Sequence, residues 1–201
     1  LGSHDGNDPA AEMIESLLDE KAGRIVVSAA GNSGQIGPYH QHSDVTSDTN
    51  FVWFDNNPSG SLGANTVFFD LWTDNANATF DFAFGADTEA PGYDFRGRTN
   101  FHGASSSIGT TIFDTIWNGT NRIATIEVYT NTFGGNYNMQ VLANIDSVDY
   151  RYRFETTGTG SYDLWSGAGL GYNNMFDAAP TLAEFPDSAL YVAPDINQTI
   201  V

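Results

Sequence analysis

The chain has 201 residues, with 25 acidic against 7 basic side chains, a formal net charge of −18 at pH 7 and no cysteine. This charge excludes nucleic-acid binding, which needs a basic face, and argues against binding to anionic membranes. The absence of cysteine excludes a disulfide framework. The sequence contains no run of 18 apolar residues, so no transmembrane helix is predicted. Charged residues make up only 16% of the chain, and the polar remainder is typical of an extracellular or cell-surface protein, which we expect to be bacterial.

The N-terminal residues predict a helix followed by a buried strand. Asp8 is a good N-cap, Pro9 suits the first helical position, and apolar residues at helical spacing predict a helix over 9–22. Residues 24–30 form an apolar run without alternation, which favours a parallel strand covered on both faces, although a buried helical segment gives the same pattern. Together they predict a small strand-helix-strand unit.

Asn32 lies in a Gly-Asn-Ser-Gly segment directly after this predicted strand. In open α/β sheets, ligands bind beyond the carboxyl ends of the strands. A primary amide at this position can donate a hydrogen bond to a developing oxyanion without titrating. The alternative is that Asn32 and Ser33 simply form a turn, as these residue types often do.

The residues on either side of Asn32 carry a family resemblance. The segment Ala29-Ala30-Gly31-Asn32-Ser33-Gly34 resembles the oxyanion-hole segment of the subtilisin-like serine peptidases, and Leu1-Gly2-Ser3-His4-Asp5-Gly6 resembles their substrate-binding strand. The resemblance implies a secreted Ser/His/Asp endopeptidase that hydrolyses polypeptides, with Asn32 as oxyanion donor.

It also implies that Leu1, Gly2, Ala29, Ala30 and Gly31 bind the substrate residue before the scissile bond, although small residues equally suit tight backbone packing. The family's catalytic Asp and His motifs would precede Leu1, and its Ser motif would follow Val201. We therefore expect this chain alone to be inactive.

From Ile36 onward the pattern changes to short runs rich in aromatic and β-branched residues, separated by turn residues. The predicted strands are 51–54, 67–72, 80–84, 123–129, 137–145, 150–154 and 162–165. Their spacing predicts an antiparallel sandwich or jelly roll. Alternation predicts the inward set Phe80, Phe82, Phe84, Val141, Tyr152 and Phe154. Asn118-Gly119 predicts a hairpin with a type I′ turn.

These patterns predict a mainly β protein attached to a small α/β fragment. Residues 1–43 would be part of a subtilisin-like catalytic domain, 44–190 an inserted sandwich, and 191–201 the return to the catalytic sheet, because the last five residues resemble the start of that family's next strand. Insertion is tolerated where the two ends of the inserted unit lie close together. The alternative is a non-catalytic sandwich module that binds protein or carbohydrate.

Three other sets of residues could form binding sites. His40 and His42, with Asp44, could bind zinc from one strand face, but a surface loop is the preferred interpretation. The acidic clusters Asp44/Asp48/Asp55 and Asp70/Asp74 could hold calcium, but we favour a solvated surface. The four tryptophans could stack on sugar rings, but residues of this type more often fill a sandwich core. No metal or cofactor is assigned.

Overall fold

The computed structural model describes residues 9–27, 39–56, 65–89 and 91–166, together with residues 175, 190–192 and 194. One helix, α1, covers Pro9–Asp19. The strands are β1 His40–Val45, β2 Asn50–Phe54, β3 Thr66–Asp74, β4 Asp81–Thr88, β5 Phe95–Arg98, β6 His102–Gly103, β7 Thr111–Asn118, β8 Asn121–Phe133, β9 Asn136–Ile145, β10 Tyr150–Thr157 and β11 Gly160–Ser166. The prediction of a mainly β fold is confirmed.

The strands form two antiparallel sheets packed face to face. The six-stranded sheet has the order β1-β11-β3-β9-β8-β7, and the five-stranded sheet has the order β2-β10-β4-β5, with β6 also pairing with β4. Strands that are neighbours in the chain often lie in different sheets, so the chain crosses between the layers several times. An antiparallel sandwich was predicted, and β1 begins at His40, four residues before the predicted boundary at 44.

One large apolar core lies between the two sheets. All six residues of the predicted inward set are buried there, each 5% exposed or less. Alternation is the cause, because side chains at every second strand position point to the same face. Phe69 packs against Phe54 with nearly parallel rings at 4.8 Å and against Phe154 edge-on at 5.1 Å, which joins the two sheets at the centre of the core.

The hairpin predicted at Asn118-Gly119 is present, but its turn type is different. Asn118 pairs with Asn121, so the two loop residues are Gly119 and Thr120 rather than Asn118 and Gly119. Of these two, only Gly119 has a positive φ, +61°, which fits a type II′ turn and not type I′. A β-bulge between Ile116 and Trp117 shifts the register before the turn.

At the N-terminus, the predicted helix is confirmed except for its last turn. It ends at Asp19 instead of residue 22, because Gly23 adopts a left-handed φ of +89° and Arg24 folds back onto the Leu17 carbonyl and pairs with Glu20 at 2.9 Å. No residue of α1 is buried against the rest of the described chain.

The predicted buried strand 24–30 does not appear in its described part. Residues 24–27 belong to no strand, and Ile25 and Val27 are 81% and 84% exposed. A strand needs a hydrogen-bonding neighbour, and none lies beside these four residues in the described chain. Residues 28–30 lie outside the described residues, so the α/β fragment is not confirmed.

The outer face of the five-stranded sheet carries a second, smaller cluster. Phe51, Trp53 and Tyr93 are buried there, and Leu190 and Tyr191 pack on them. Tyr191 forms a parallel bridge with Phe51, and the amide of Val192 donates to the Phe51 carbonyl at 2.9 Å. The segment 190–192 therefore covers this face beside β2.

A buried ionic network continues the same face. Arg153 donates from Nε to Glu155 at 2.7 Å and from Nη1 to Asp87 at 3.2 Å, and both carboxylates are completely buried. Trp53 also donates to Asp87, at 2.8 Å, and Arg98 reaches Glu155 at 3.2 Å. The Arg153 guanidinium lies 4.8 Å from the ring centres of both Phe51 and Phe95.

Among the described residues, no helix has the length and apolar character needed to cross a membrane.

Candidate functional site

The outer face of the six-stranded sheet carries rows of polar and aromatic side chains. The strand registers align two of these rows across neighbouring strands, because directly paired residues point to the same face. The first row is His40, Trp165, Asp70, Gln140 and Tyr129, and the second is His42, Asp163, Trp72, Asn138 and Asn131. On β11, β3 and β9 the residues between the two rows are Leu164, Leu71 and Met139, which are buried in the core. This face is therefore built for polar contact.

A cleft of about 450 Å³ opens on this face between β1, β11, β3 and β9. A second cavity, of about 10 Å³, is a packing gap inside the core. The lining residues of the cleft are His40, Trp72, Thr73, Asp74, Asn77, Asn136, Ser161, Tyr162, Asp163 and Trp165. Aromatic rings, amides and carboxylates thus converge in one concave region, which is the usual form of a ligand site.

Asp163 is held in place by both histidines of β1. His40 Nε2 lies 3.1 Å and His42 Nδ1 3.0 Å from the same oxygen, Asp163 Oδ1. Partial burial raises the pKa of Asp163, but the hydrogen bonds from His40 and His42 outweigh it and leave the pKa below the ordinary value. Asp163 therefore stays ionised at neutral pH and presents a fixed acceptor to the cleft.

Asp70 lies beneath this face and is only 4% exposed. Asn138 donates to Asp70 Oδ1 at 2.7 Å and to the Leu71 carbonyl at 3.2 Å. Burial raises the pKa of Asp70, and the hydrogen bond from Asn138 only partly opposes the shift. The hydrogen bond to Asp70 fixes the orientation of the Asn138 amide, which belongs to the second row beside the cleft.

Two aromatic pairs border the cleft. The His40 and Trp165 rings lie 4.8 Å apart at 32°, and Trp72 lies 5.9 Å from Phe133 at 38°. Trp165 is partly exposed and Phe133 is 41% exposed, whereas Trp72 is largely buried. Flat apolar surface is therefore exposed in the cleft at Trp165 and beside it at Phe133.

Two glycine turns position the remaining lining residues. Gly134 and Gly135, with φ of +58° and +97°, form the two-residue turn that brings Asn136 opposite Phe133. The Gly135 carbonyl accepts from Asn75, which ties this turn to the loop containing Asn77. At Gly160 a Cβ would lie 2.0 Å from the Asn77 carbonyl, so only glycine allows that loop to approach β11.

The candidate peptidase residues lie outside the described residues. These are Asn32, Leu1, Gly2, Ala29, Ala30 and Gly31. No spatial relation between them and the cleft is described.

The histidine pair lies on strand β1, so the preferred assignment to a surface loop is wrong. Alternation puts His40 and His42 on one face, as the zinc hypothesis required, and Asp44 lies 3.7 Å from His42. Within the described part of the chain, however, no group of three or more His, Cys, Asp or Glu residues could hold a metal ion. The two histidines act instead as hydrogen-bond partners of Asp163.

Two other predictions about this face need correction. Asp70 is buried rather than solvated: it is 4% exposed and its carboxylate accepts from Asn138. The tryptophans do not fill the sandwich core: Trp53, Trp72 and Trp165 lie on outer faces, and Trp117 is 51% exposed on the edge strand β7. The large core side chains are phenylalanine, tyrosine and aliphatic residues.

Sequence reasoning missed Asp163, Asn136 and Asn138 as members of one site. A signal for Asn136 was available, because Gly134-Gly135 between alternating residues predicts a two-residue hairpin and places Asn136 directly after the turn. Asp163 and Asn138 become neighbours of Trp72 only through the pairing of β11, β3 and β9, which local patterns do not reveal.

Comparison with protein-family models and with curated proteins finds no match for this chain.

Proposed function

We propose that the sandwich is a non-catalytic binding module whose ligand occupies the cleft on the outer face of the six-stranded sheet. The observation that carries the proposal is the convergence of Trp165, Asp163 and Asn136 in one concavity of about 450 Å³. Each lining group suits recognition: a carboxylate accepts, an amide both donates and accepts, and an indole supplies flat apolar area. A preorganised set of this kind loses little entropy on binding.

The four tryptophans allow a direct test by NMR. Each indole N–H gives its own signal, and Trp165 and Trp72 line the cleft, whereas Trp53 lies on the other sheet and Trp117 on the far edge. The chain is titrated with soluble oligosaccharides and with peptides. Binding in the cleft predicts shifts for Trp165 and Trp72 with unchanged Trp53 and Trp117 signals. Shifts confined to Trp53 or Trp117, or no shifts with any compound, would overturn the proposal.

A second function, favoured by the sequence around Asn32, is that the chain is the central part of a subtilisin-like serine endopeptidase. The support is the resemblance of residues 1–6 and 29–34 to that family. An oxyanion donor alone has no nucleophile or base to act with, so the isolated chain should not turn over a fluorogenic peptide or react with a serine-directed phosphonate. Covalent labelling of any serine in this chain would contradict this interpretation.

The role of Asn32 needs a longer protein that carries the chain together with a catalytic Asp, His and Ser. There, Asn32→Ala should lower kcat by about two to three powers of ten with KM nearly unchanged, because the hydrogen bond forms only as negative charge develops. This magnitude is that of donor removal in a subtilisin and is carried over by resemblance. An Asn32→Ala enzyme with unimpaired kcat, or one that only melts at a lower temperature, would support a turn-forming Asn instead.

A further inference from the structure

We infer that the ligand of the cleft is a neutral oligosaccharide, held with one sugar ring against Trp165 and continuing across the strands toward Tyr129. This inference rests on the proposed binding function and adds the chemical class of the ligand. It is carried by the charge of the face, by the chemistry of the rows and by the position of the cleft within the sheet.

Charge excludes anionic ligands. Asp74 and Asp163 line the cleft, the whole chain carries a net charge of −18, and none of the seven basic residues, all of them described, lines it. A phosphate, a sulfated glycan or a uronic-acid polymer would meet the carboxylates of Asp74 and Asp163 there with no Lys or Arg to pair with. The ligand that fits is neutral, or cationic at most.

The groups on the face match a sugar better than a charged small molecule. A sugar ring has hydroxyls around its rim, which both donate and accept, and an apolar C–H surface on its face. Asp163 and Asp74 can accept from hydroxyls, and Asn136 can donate or accept. Trp165, whose ring centre lies 4.8 Å from that of His40 at an angle of 32°, supplies the flat surface on which the apolar face of a sugar ring can be buried.

The row of paired residues sets the length of the surface, with Asp70 buried beneath it and the other four residues partly exposed. His40, Trp165, Asp70, Gln140 and Tyr129 lie on five adjacent strands. Neighbouring strands are about 4.8 Å apart, so the row spans roughly 19 Å, more than one sugar ring needs. Tyr129 is 37% exposed and its hydroxyl donates to Glu127 at 2.6 Å, which holds a second aromatic surface at the far end of the row.

The position of the cleft favours a sugar over a cationic peptide. Peptides that bind β proteins in extended form commonly add a strand to a sheet edge, where backbone groups are free. One lining residue, His40, belongs to the edge strand β1, while the other lining strand residues belong to β11, β3 and β9, whose backbone groups pair on both sides. Recognition here must come from side chains, as it does for a glycan lying across strands.

Isothermal titration calorimetry with five probes tests the inference. Three are neutral hexasaccharides, of glucose, xylose and mannose; the fourth is an anionic oligogalacturonate and the fifth a cationic hexalysine peptide. At least one neutral hexasaccharide should bind, and Trp165→Ala should weaken it by about tenfold or more. The matched control is Trp117→Ala, an exposed tryptophan four strands from Trp165, which should change the affinity less than about twofold. Asp163→Asn should weaken binding without removing the apolar surface.

The possible results separate this inference from the proposed function. If hexalysine alone shifts the Trp165 and Trp72 indole signals, the cleft binds ligands but the carbohydrate inference is wrong. If no probe shifts them, both fail. Equal losses of affinity in Trp165→Ala and Trp117→Ala would also overturn the inference. Should Trp165→Ala fail to fold, the indole shifts of the wild-type chain with each neutral hexasaccharide decide the question.

Discussion

The two outer faces of the sandwich both bury carboxylates but satisfy them in opposite ways. On the five-stranded sheet, Asp87 and Glu155 are paired with Arg153, and aromatic rings close over the pair. On the six-stranded sheet, Asp70 accepts a hydrogen bond from a neutral donor, the Asn138 amide. On the first face, arginine side chains neutralise the buried carboxylates, and aromatic rings cover the ion pairs. The second leaves acceptors directed outward beside a cleft, which explains why the ligand is expected there.

The largest effect is expected from breaking the ionic network. Arg153→Met should lower the free energy of unfolding by about 3–5 kcal/mol, because the fully buried Asp87 loses its cation and Glu155 keeps only Arg98. Urea denaturation followed by circular dichroism measures the change. The matched control is Arg122→Met, which removes a solvent-screened pair with Asp146 and should change the free energy of unfolding far less. Equal losses for both variants would show that the network is not structurally important.

A smaller effect is expected at Gly85, which lies directly opposite Arg153 on the neighbouring strand. A Cβ there would lie 2.6 Å from Glu155 Oε1 and 2.9 Å from Arg153 Nε, so the pair would have to move. Gly85→Ala should therefore lower the free energy of unfolding by about 1–3 kcal/mol.

Gly92→Ala serves as the control for Gly85→Ala. The nearest atom to a Cβ at Gly92 is 3.4 Å away, so this variant should be nearly neutral in the same denaturation experiment. A neutral Gly85→Ala variant would mean that the network tolerates rearrangement.

The smallest effect concerns Asp70 and depends on pH. Because burial raises the pKa of Asp70 in the folded chain, its favourable contribution is complete below the unfolded pKa, about 3.9, and is lost as pH rises through the folded pKa. Asp70→Asn removes this titration and keeps an acceptor for Asn138. The variant should gain stability over the wild type at pH 7, and the gain should shrink as pH falls toward 4.

Thermal melts across this pH range measure the difference for Asp70→Asn. Asp81→Asn, at an exposed position on β4, is the control and should show the pH profile of the wild type. A difference between Asp70→Asn and the wild type that stays constant from pH 4 to pH 7 would contradict the proposed cost of ionising Asp70.

Sequence alternation predicted the core because it reports which residues share a strand face. Phe82 and Phe154 were placed inward for this reason and are fully buried. Alternation does not report whether the opposite face is solvated. In β10, Arg153 occupies a position that alternation assigns to the outer face, yet it is only 8% exposed because residues from β2 and β5 cover it.

The cleft itself depends on pairing between distant parts of the chain. Asp163 meets His40 and His42 across more than 120 residues, and it meets Trp72 only because β11 lies between β1 and β3. His40 and His42 could be recognised as sharing a face, but their partner could not. At the N-terminus, the sequence pattern of residues 24–27 predicts a strand. Their side chains remain exposed because no neighbouring strand lies beside them in the described chain.

The two ends of the sandwich meet beside β2. The Gln41 amide donates to the Val192 carbonyl at 3.4 Å, and Val192 is also bonded to Phe51. Folding thus clamps together two points separated by about 150 residues, as a chemical cross-link would. For a flexible loop of that length the entropic cost of holding its ends together is about 4 kcal/mol, plus a constant. While the sandwich stays folded, a structure that contains both flanking segments does not have to supply this loop-closure free energy. The stability of such a structure is therefore coupled to that of the sandwich.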